Sequence, residues 1–140
     1  MFRKLAIFSL VLFTYLSCEK EKSTEVGFQL NTPFALQFAA TNQSTEDNIT
    51  VNFFEVLSDS RCPTDVTCVW EGESSVKINF KVDGTNTPLT LSTHERMGQG
   101  PKADTLGNYI IRLLEVNPYP VSTVQVPNED YEIRLQIDEL

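Results

Sequence analysis

The residues best placed for chemistry in this chain are two cysteines six positions apart, Cys62 and Cys68. They lie in a segment rich in turn-forming residues, 59 to 72, which we call the clip. Pro63 fixes its own φ and biases the preceding cysteine towards an extended backbone. The threonine and aspartate that follow favour a chain reversal, which would bring the two thiols within bonding distance. The spacing therefore predicts a structural disulfide, worth roughly 2 kcal/mol by chain-entropy reasoning.

Metal binding and redox catalysis are the alternatives for this pair. A structural zinc needs four ligands, and the chain adds only one distant imidazole, His94. A thioredoxin-type site has two residues between its cysteines, and here there are five. Trp70, two residues beyond the second cysteine, is expected to pack against the bridge or to cap one end of the core. The alternative is a solvent-facing aromatic on which a ligand stacks.

Outside the cysteines, no catalytic set and no cofactor motif stands out. Nucleophilic catalysis needs a nucleophile beside a general base, and the single histidine has no nucleophile placed beside it by the sequence pattern. Glycosidase-type carboxylate pairs stay open among the 19 acids. Four acids in or beside the clip form a candidate calcium site, with Arg61 as a neighbour that would neutralise them instead. These acids are Asp59, Asp65, Glu71 and Glu73.

The run DSRCPTDVTCVWEG resembles a motif of small uncharacterised lipoproteins from the Bacteroidota, Asp-Ser-Arg-Cys-Pro, a spacer, then Cys-Val-Trp-Xaa-Gly. The likeness is close over about 14 residues and looser over the following strands. In that group the residues flanking the glycine are often small, whereas here they are Glu71 and Glu73. The resemblance implies an exported all-β domain and carries no activity.

The N-terminus has the pattern of an export signal. Arg3 and Lys4 precede an apolar run over residues 5–16, which as a helix reaches roughly 18 Å and is too short for a bilayer core of ~30 Å. The run ends in Leu-Ser-Cys, which resembles a bacterial lipobox. We therefore expect residues 1–17 to be a helical lipoprotein signal peptide and Cys18 to carry the lipid. An ordinary secreted protein would instead leave this cysteine as a spare thiol.

Residues 18–26 form a charged segment without a core-forming face, and we expect a flexible tether. Its start resembles the charged signals that send some lipoproteins to the cell surface, so both that surface and the periplasmic face of the outer membrane stay open. Loss of residues 1–17 removes Arg3 and Lys4 and no acid, which leaves 9 basic and 19 acidic side chains, a formal charge of −10. This charge argues against nucleic acid as a partner.

Residues 27–140 show a side-chain period of two almost throughout. The pattern predicts strands at 33–40, 49–57 with a bulge near 53–55, 76–82, a short edge strand around Leu89, a strand at 109–114 covered on both faces, a weaker one at 121–126, and a last one at 131–137. Seven or eight short strands indicate an all-β fold, a single antiparallel β-sandwich or Greek-key barrel.

Residues 94–108 are expected to be a long loop, either a partner-binding surface with His94, Arg96 and Lys102 or a mobile connection without a role. Within it, Asp104-Thr105-Leu106 resembles a short O-glycosylation motif of exported Bacteroidota proteins, which makes Thr105 a candidate modification site.

The leading functional hypothesis is therefore a lipid-anchored, non-enzymatic β-domain whose partner is a protein or a glycan. A carboxylate-based glycan or peptidoglycan hydrolase is the first alternative, and a cleft holding two acids would favour it. An inhibitor-like module that presents the stapled 62–68 loop is the second, and an exposed Arg61 would favour that.

Overall fold

The computed structural model describes residues 27–94 and 100–140, which fold into two packed β-sheets. The predicted signal peptide, Cys18 and the tether lie outside the described residues. The eight strands are β1 (Phe34–Gln37), β2 (Thr41–Gln43), β3 (Ile49–Asp59), β4 (Ser74–Val82), β5 (Thr85–Ser92), β6 (Ala103–Leu106), β7 (Tyr109–Asn117) and β8 (Glu132–Glu139). One 3₁₀ turn, Asn128–Asp130, precedes β8.

The strands are antiparallel and form two four-stranded sheets, one in the order β1-β8-β7-β6 and the other in the order β2-β3-β4-β5. Alternate side chains of each sheet point inward, and the core between them is built of fully buried aliphatic and aromatic residues. Phe53 and Phe80 are the largest of these. The prediction of an all-β sandwich is confirmed.

Two turns show how local sequence sets this topology. Between β1 and β2 the chain crosses from one sheet to the other, and Ala39 takes a positive φ of 60° there while its N–H bonds the carbonyl of Phe53. Between β4 and β5 the chain reverses at Asp83 and Gly84, both with positive φ, as a two-residue hairpin turn requires.

Three bulges interrupt the strand pairing. One leaves Phe54 without a partner in β3, which confirms the bulge predicted near residues 53–55. A second follows at Leu57, and a third leaves Leu114 unpaired in β7. Because a bulge turns the side chains beyond it, the last two re-aim the ends of β3 and β7 as they approach the clip.

Other strand predictions were wrong or partly wrong. Residues 121–126 contain only an isolated bridge between Val121 and Val124, and none of the strands in the described ranges pairs with them. Prolines at 118, 120 and 127 flank this segment and offer no backbone donor with which to extend it. The region 94–108 is not one long loop, since β6 lies within it and pairs with β7. On β7 the second face is only partly covered, with Arg112 exposed.

The sandwich has two distinct ends. The clip and the connection between β7 and β8, residues 118–131, lie at one end, which we call the clip end. The opposite end holds Gly27, packed against Gln43 and Thr45, together with Leu140, whose N–H bonds the carbonyl of Asn108. β3 runs from one end to the other over 11 residues, about 33 Å at the usual strand rise. No helix in the two described ranges is long and apolar enough to cross a bilayer.

Candidate binding surface at the clip end

The clip extends the β3–β4 hairpin beyond its regular pairing. The N–H of Ser60 bonds the carbonyl of Glu73 at 2.8 Å, and the N–H of Cys62 bonds that of Glu71 at 2.7 Å. Beyond these bonds the chain turns, and Cys62 and Cys68 are joined by a disulfide with their Cα atoms 5.9 Å apart. The predicted disulfide is confirmed, and it closes the tip of the hairpin.

Arg61 lies under the clip, and its side chain is only 5 % exposed. Its guanidinium donates to both carboxylate oxygens of Asp59, whose side chain is 8 % exposed, and to the carbonyls of Val116 and Pro118. Tyr119 covers the guanidinium with its ring, whose centroid is 4.7 Å away. Arg61 therefore joins the clip to the end of β7, and the clip does not present it to a partner.

The charge on Asp59 is held by this arrangement. Burial acts to raise its pKa, but the hydrogen bonds and positive charge of Arg61, helped by the hydroxyl of Tyr131 at 3.0 Å, outweigh burial and lower the pKa below its usual value. The same proximity, with burial as the larger cause, raises the pKa of Tyr131 to about 12. The neutral phenol and the carboxylate are thus both favoured near pH 7.

Gly72 allows the two arms of the clip to approach this closely. Its φ is +70°, and a Cβ at this position would lie 1.9 Å from the carbonyl oxygen of Ser60. A side chain is therefore excluded both by backbone conformation and by space. The glycine of the Trp-Xaa-Gly run is explained by this contact.

The clip is also bonded to the 118–131 connection. The N–H of Thr64 bonds the carbonyl of Pro120 at 3.0 Å, and the Asp65 carboxylate accepts from both the N–H and the hydroxyl of Ser122. These bonds from Ser122 lower the pKa of Asp65. Because the clip belongs to one sheet and the connection to the other, the bonds tie the two sheets together at this end.

The exposed apolar side chains of the domain gather on these two loops. Eight large apolar side chains of the described residues are exposed, and six of them lie on the clip or the connection. We call these six the platform: Val66, Val69, Trp70, Tyr119, Val121 and Val124. Hydrogen bonds between the two loops bring them side by side, and exposed apolar patches mark interaction sites in soluble domains.

Trp70 is 49 % exposed and lies outside the buried core, so the prediction that it caps one end of the core was wrong, whereas its packing against the bridge stays a prediction. The exposure matches the alternative, an aromatic that faces solvent. Sequence reasoning missed the other platform residues. The available signal was that Val66, Val69 and Tyr119 occur among turn formers, where no strand alternation can bury them.

A cleft of about 330 Å³ opens beside the platform. It lies between the start of β4, the end of β5 and the end of β7, next to the bulge at Leu114. The polar side chains that line it include Arg61, Glu71, His94, Glu115, Asn117 and Tyr119. The His94 ring nitrogen Nε2 hydrogen-bonds the Glu71 carboxylate across the cleft.

The four acids proposed for calcium do not gather around one point. Asp59 pairs with Arg61, Asp65 with Ser122, Glu71 with His94, and Glu73 is buried and accepts from the hydroxyl of Ser92. Over residues 27–94 and 100–140, no three histidine, cysteine or acidic side chains are arranged to hold a metal ion.

The residues proposed for a binding loop are separated. His94 lines the cleft, whereas Lys102 lies beside a smaller hollow near Arg112, and Arg96 lies outside the described residues. Thr105 is exposed on β6, an edge strand. Its glycosylation stays a prediction.

Comparison of the chain with protein-family models, curated proteins and solved structures returned no match.

Proposed function

We propose that the protein is a lipoprotein of the bacterial outer membrane, anchored through Cys18, whose β-sandwich binds a partner through the platform without catalysing a reaction. The observation that carries the binding role is the concentration of exposed apolar side chains at one end of the domain. Elsewhere among the described residues, only Leu57 and Leu140 are large, apolar and exposed. Water contact at such a patch is unfavourable, and a partner that covers it gains the hydrophobic free energy.

The position of the platform suits a domain held by its N-terminus. Gly27, where the described chain begins, lies at the end of the sandwich opposite the clip. A tether that enters there places the membrane at one end and directs the platform away from it by the length of β3. This arrangement supports presentation to a partner in the periplasm or outside the cell.

The platform is also held in place before any partner arrives. The disulfide, the Arg61–Asp59 pair and the bonds to Pro120 and Ser122 fix both loops. A surface that is already ordered avoids the entropy cost of ordering loops and side chains on binding. The loops thus have the rigidity expected of a binding surface, and the stapled 62–68 segment contributes Val66 to it.

A glycan or peptidoglycan hydrolase is the second candidate, because the cleft brings Glu71 and Glu115 into one lining. Both side chains are more than half exposed. A glycosidase general acid, in contrast, is usually held in apolar surroundings. Release of reducing ends from glycan by the wild type, and its loss in the Glu71→Gln/Glu115→Gln double variant, would favour the hydrolase over the binding role.

Two experiments test the main proposal. Cys18→Ala should move the protein from the membrane fraction to the soluble fraction, and continued membrane association would refute anchoring at this residue.

In crosslinked envelopes, Val69→Ser and Trp70→Ala should lose a partner that wild type captures. Leu140→Ser is the matched control, since it removes an exposed apolar side chain at the opposite end. A partner captured equally by all of these variants would contradict the platform.

A further inference from the structure

We propose that the platform takes a polypeptide segment that carries apolar side chains beside a basic one, with the basic side chain entering the cleft next to Glu71 and Glu115. This inference rests on the proposed binding function and adds the chemistry of the partner. It follows from the charges around the platform, the acceptors in the cleft and the size of the cleft.

The two loops that form the platform are strongly acidic. The clip and the 118–131 connection carry one basic side chain, Arg61, against five acidic ones: Asp59, Asp65, Glu71, Glu129 and Asp130. The one base is buried and already paired with Asp59. The platform is therefore an apolar surface within a negative field, and its complement is an apolar surface that bears positive charge.

The cleft offers mainly hydrogen-bond acceptors. Arg61 contributes no uncommitted charge, because its N–H groups go to Asp59 and to the carbonyls of Val116 and Pro118. Glu71 uses one carboxylate oxygen for His94, and one oxygen of Glu115 lies 4.0 Å from the Arg134 guanidinium. The second carboxylate oxygen of each glutamate and the side-chain amide oxygen of Asn117 remain as acceptors in the lining. A guanidinium has five N–H donors and no acceptor, and an ammonium has three donors, so either matches this set. An anion would meet two carboxylates and is disfavoured.

Tyr119 adds a surface suited to a cation. It lines the cleft and is about half exposed; one face of its ring is already occupied by the Arg61 guanidinium, so a second cation would meet the exposed part of the ring. Cations are attracted to aromatic rings through the ring quadrupole. At about 330 Å³ the cleft is at the lower end of the range for small-molecule sites, which suits one side chain better than an extended chain. The rest of the segment would lie on the platform.

The test uses two capped tripeptides, acetyl-Leu-Arg-Val-amide and the same peptide with citrulline in place of arginine. Citrulline keeps the shape of the side chain and removes its charge. Titration of the ¹⁵N-labelled domain should shift the amide signals of Glu71, Thr93, His94 and Tyr119 with the arginine peptide. The citrulline peptide should bind more weakly, by about two- to fivefold for each carboxylate it fails to pair with.

Variants locate the effect. Glu71→Gln and Glu115→Gln should each weaken the arginine peptide about two- to fivefold and leave the citrulline peptide unchanged. Glu139→Gln, an exposed acid at the opposite end, is the control and should change neither. Raising the ionic strength should weaken only the arginine peptide, because salt screens charge pairs.

Three results would overturn the inference: equal binding of the two peptides, no binding of either at millimolar concentration, or binding of neutral N-acetylglucosamine that the two glutamine variants abolish. The last would reassign the cleft to glycans. If Trp70→Ala weakens both peptides alike while the glutamine variants weaken neither, the platform stands as a binding surface and the basic partner is refuted. If Trp70→Ala also has no effect on envelope partners, the proposed function itself fails.

Discussion

Asp59→Asn should destabilise the domain far more than the removal of a surface carboxylate, because it leaves Arg61 charged, buried and without its counterion. The asparagine keeps nearly the same shape, and its amide oxygen still accepts one N–H. What is lost is the negative charge opposite a guanidinium that is 5 % exposed. Arg61 cannot shed its own charge, because a guanidinium is not deprotonated in proteins.

Breaking a buried ion pair by removing one partner costs roughly 3–5 kcal/mol. The lower value, about 3 kcal/mol, applies here because the carbonyls of Val116 and Pro118 still accept from the guanidinium. For a domain of this size that is a large part of a total stability of roughly 5–15 kcal/mol. With a urea m-value of about 1.5 kcal/mol/M, the unfolding midpoint should fall by about 2 M.

The assay is urea unfolding of the oxidised domain, followed by Trp70 fluorescence and by circular dichroism. Glu55→Gln is the matched control, because Glu55 and Lys77 form an ion pair at 2.9 Å with side chains 44 % and 35 % exposed. Exposed pairs contribute only about 0.2–1 kcal/mol. If the midpoint of Asp59→Asn falls no further than that of Glu55→Gln, the Arg61–Asp59 pair does not hold the clip end and the reasoning is refuted.

Three more predictions follow from the same end of the molecule. Wild type should lose stability as the pH falls below about 4, because the lowered pKa of Asp59 means that the unfolded state binds protons more tightly than the folded state. A series of urea unfolding midpoints at different pH values measures this loss. The same acid loss in Asp59→Asn would contradict the prediction. Gly72→Ala should lower the unfolding free energy by more than about 3 kcal/mol, because the added Cβ would lie 1.9 Å from a carbonyl oxygen. Gly84→Ala, also at positive φ but with nothing within 4 Å of its Cβ, should cost about 1–2 kcal/mol. Equal thermal midpoints for the two variants would show that the structure relieves the close contact. Joint replacement of Cys62 and Cys68 by serine should lower the unfolding free energy by roughly 2 kcal/mol, and free thiols in the unreduced wild type would remove the basis of that value.

The strands and the hairpin turn could be predicted because their causes are local. Alternating side chains along residues 49–53 and 76–82 state which face is buried, and a break in that alternation marks the bulge at Phe54. Asp83 and Gly84 are residues that tolerate positive φ. The disulfide could be predicted for the same reason, since its two cysteines are brought together by one short turn.

Burial of Arg61 and exposure of Trp70 could not be predicted in this way. Arg61 is buried by carbonyls 55 and 57 positions further along the chain, so its environment exists only once β7 has paired. Trp70 is a large aromatic residue of the kind found in cores, but its position in the chain reversal of the clip directs its side chain outward. The sequence did not predict β6, because four residues are too few to show an alternating pattern. This strand is defined mainly by its pairing with β7.

The platform is a product of the joining of the two sheets. The clip continues β3 and β4, the connection continues β7, and four ties cross between them: Arg61 to Val116 and Pro118, Thr64 to Pro120, Asp65 to Ser122, and Tyr131 to Asp59. The disulfide, in contrast, closes a ring within the clip alone. Loss of the disulfide should therefore lower stability while the crossing ties keep the two loops adjacent. Asp59→Asn weakens the bond from Tyr131 and removes the charge that holds the Arg61 guanidinium towards the carbonyls of Val116 and Pro118. Binding at the platform should therefore respond to Asp59→Asn more strongly than to reduction.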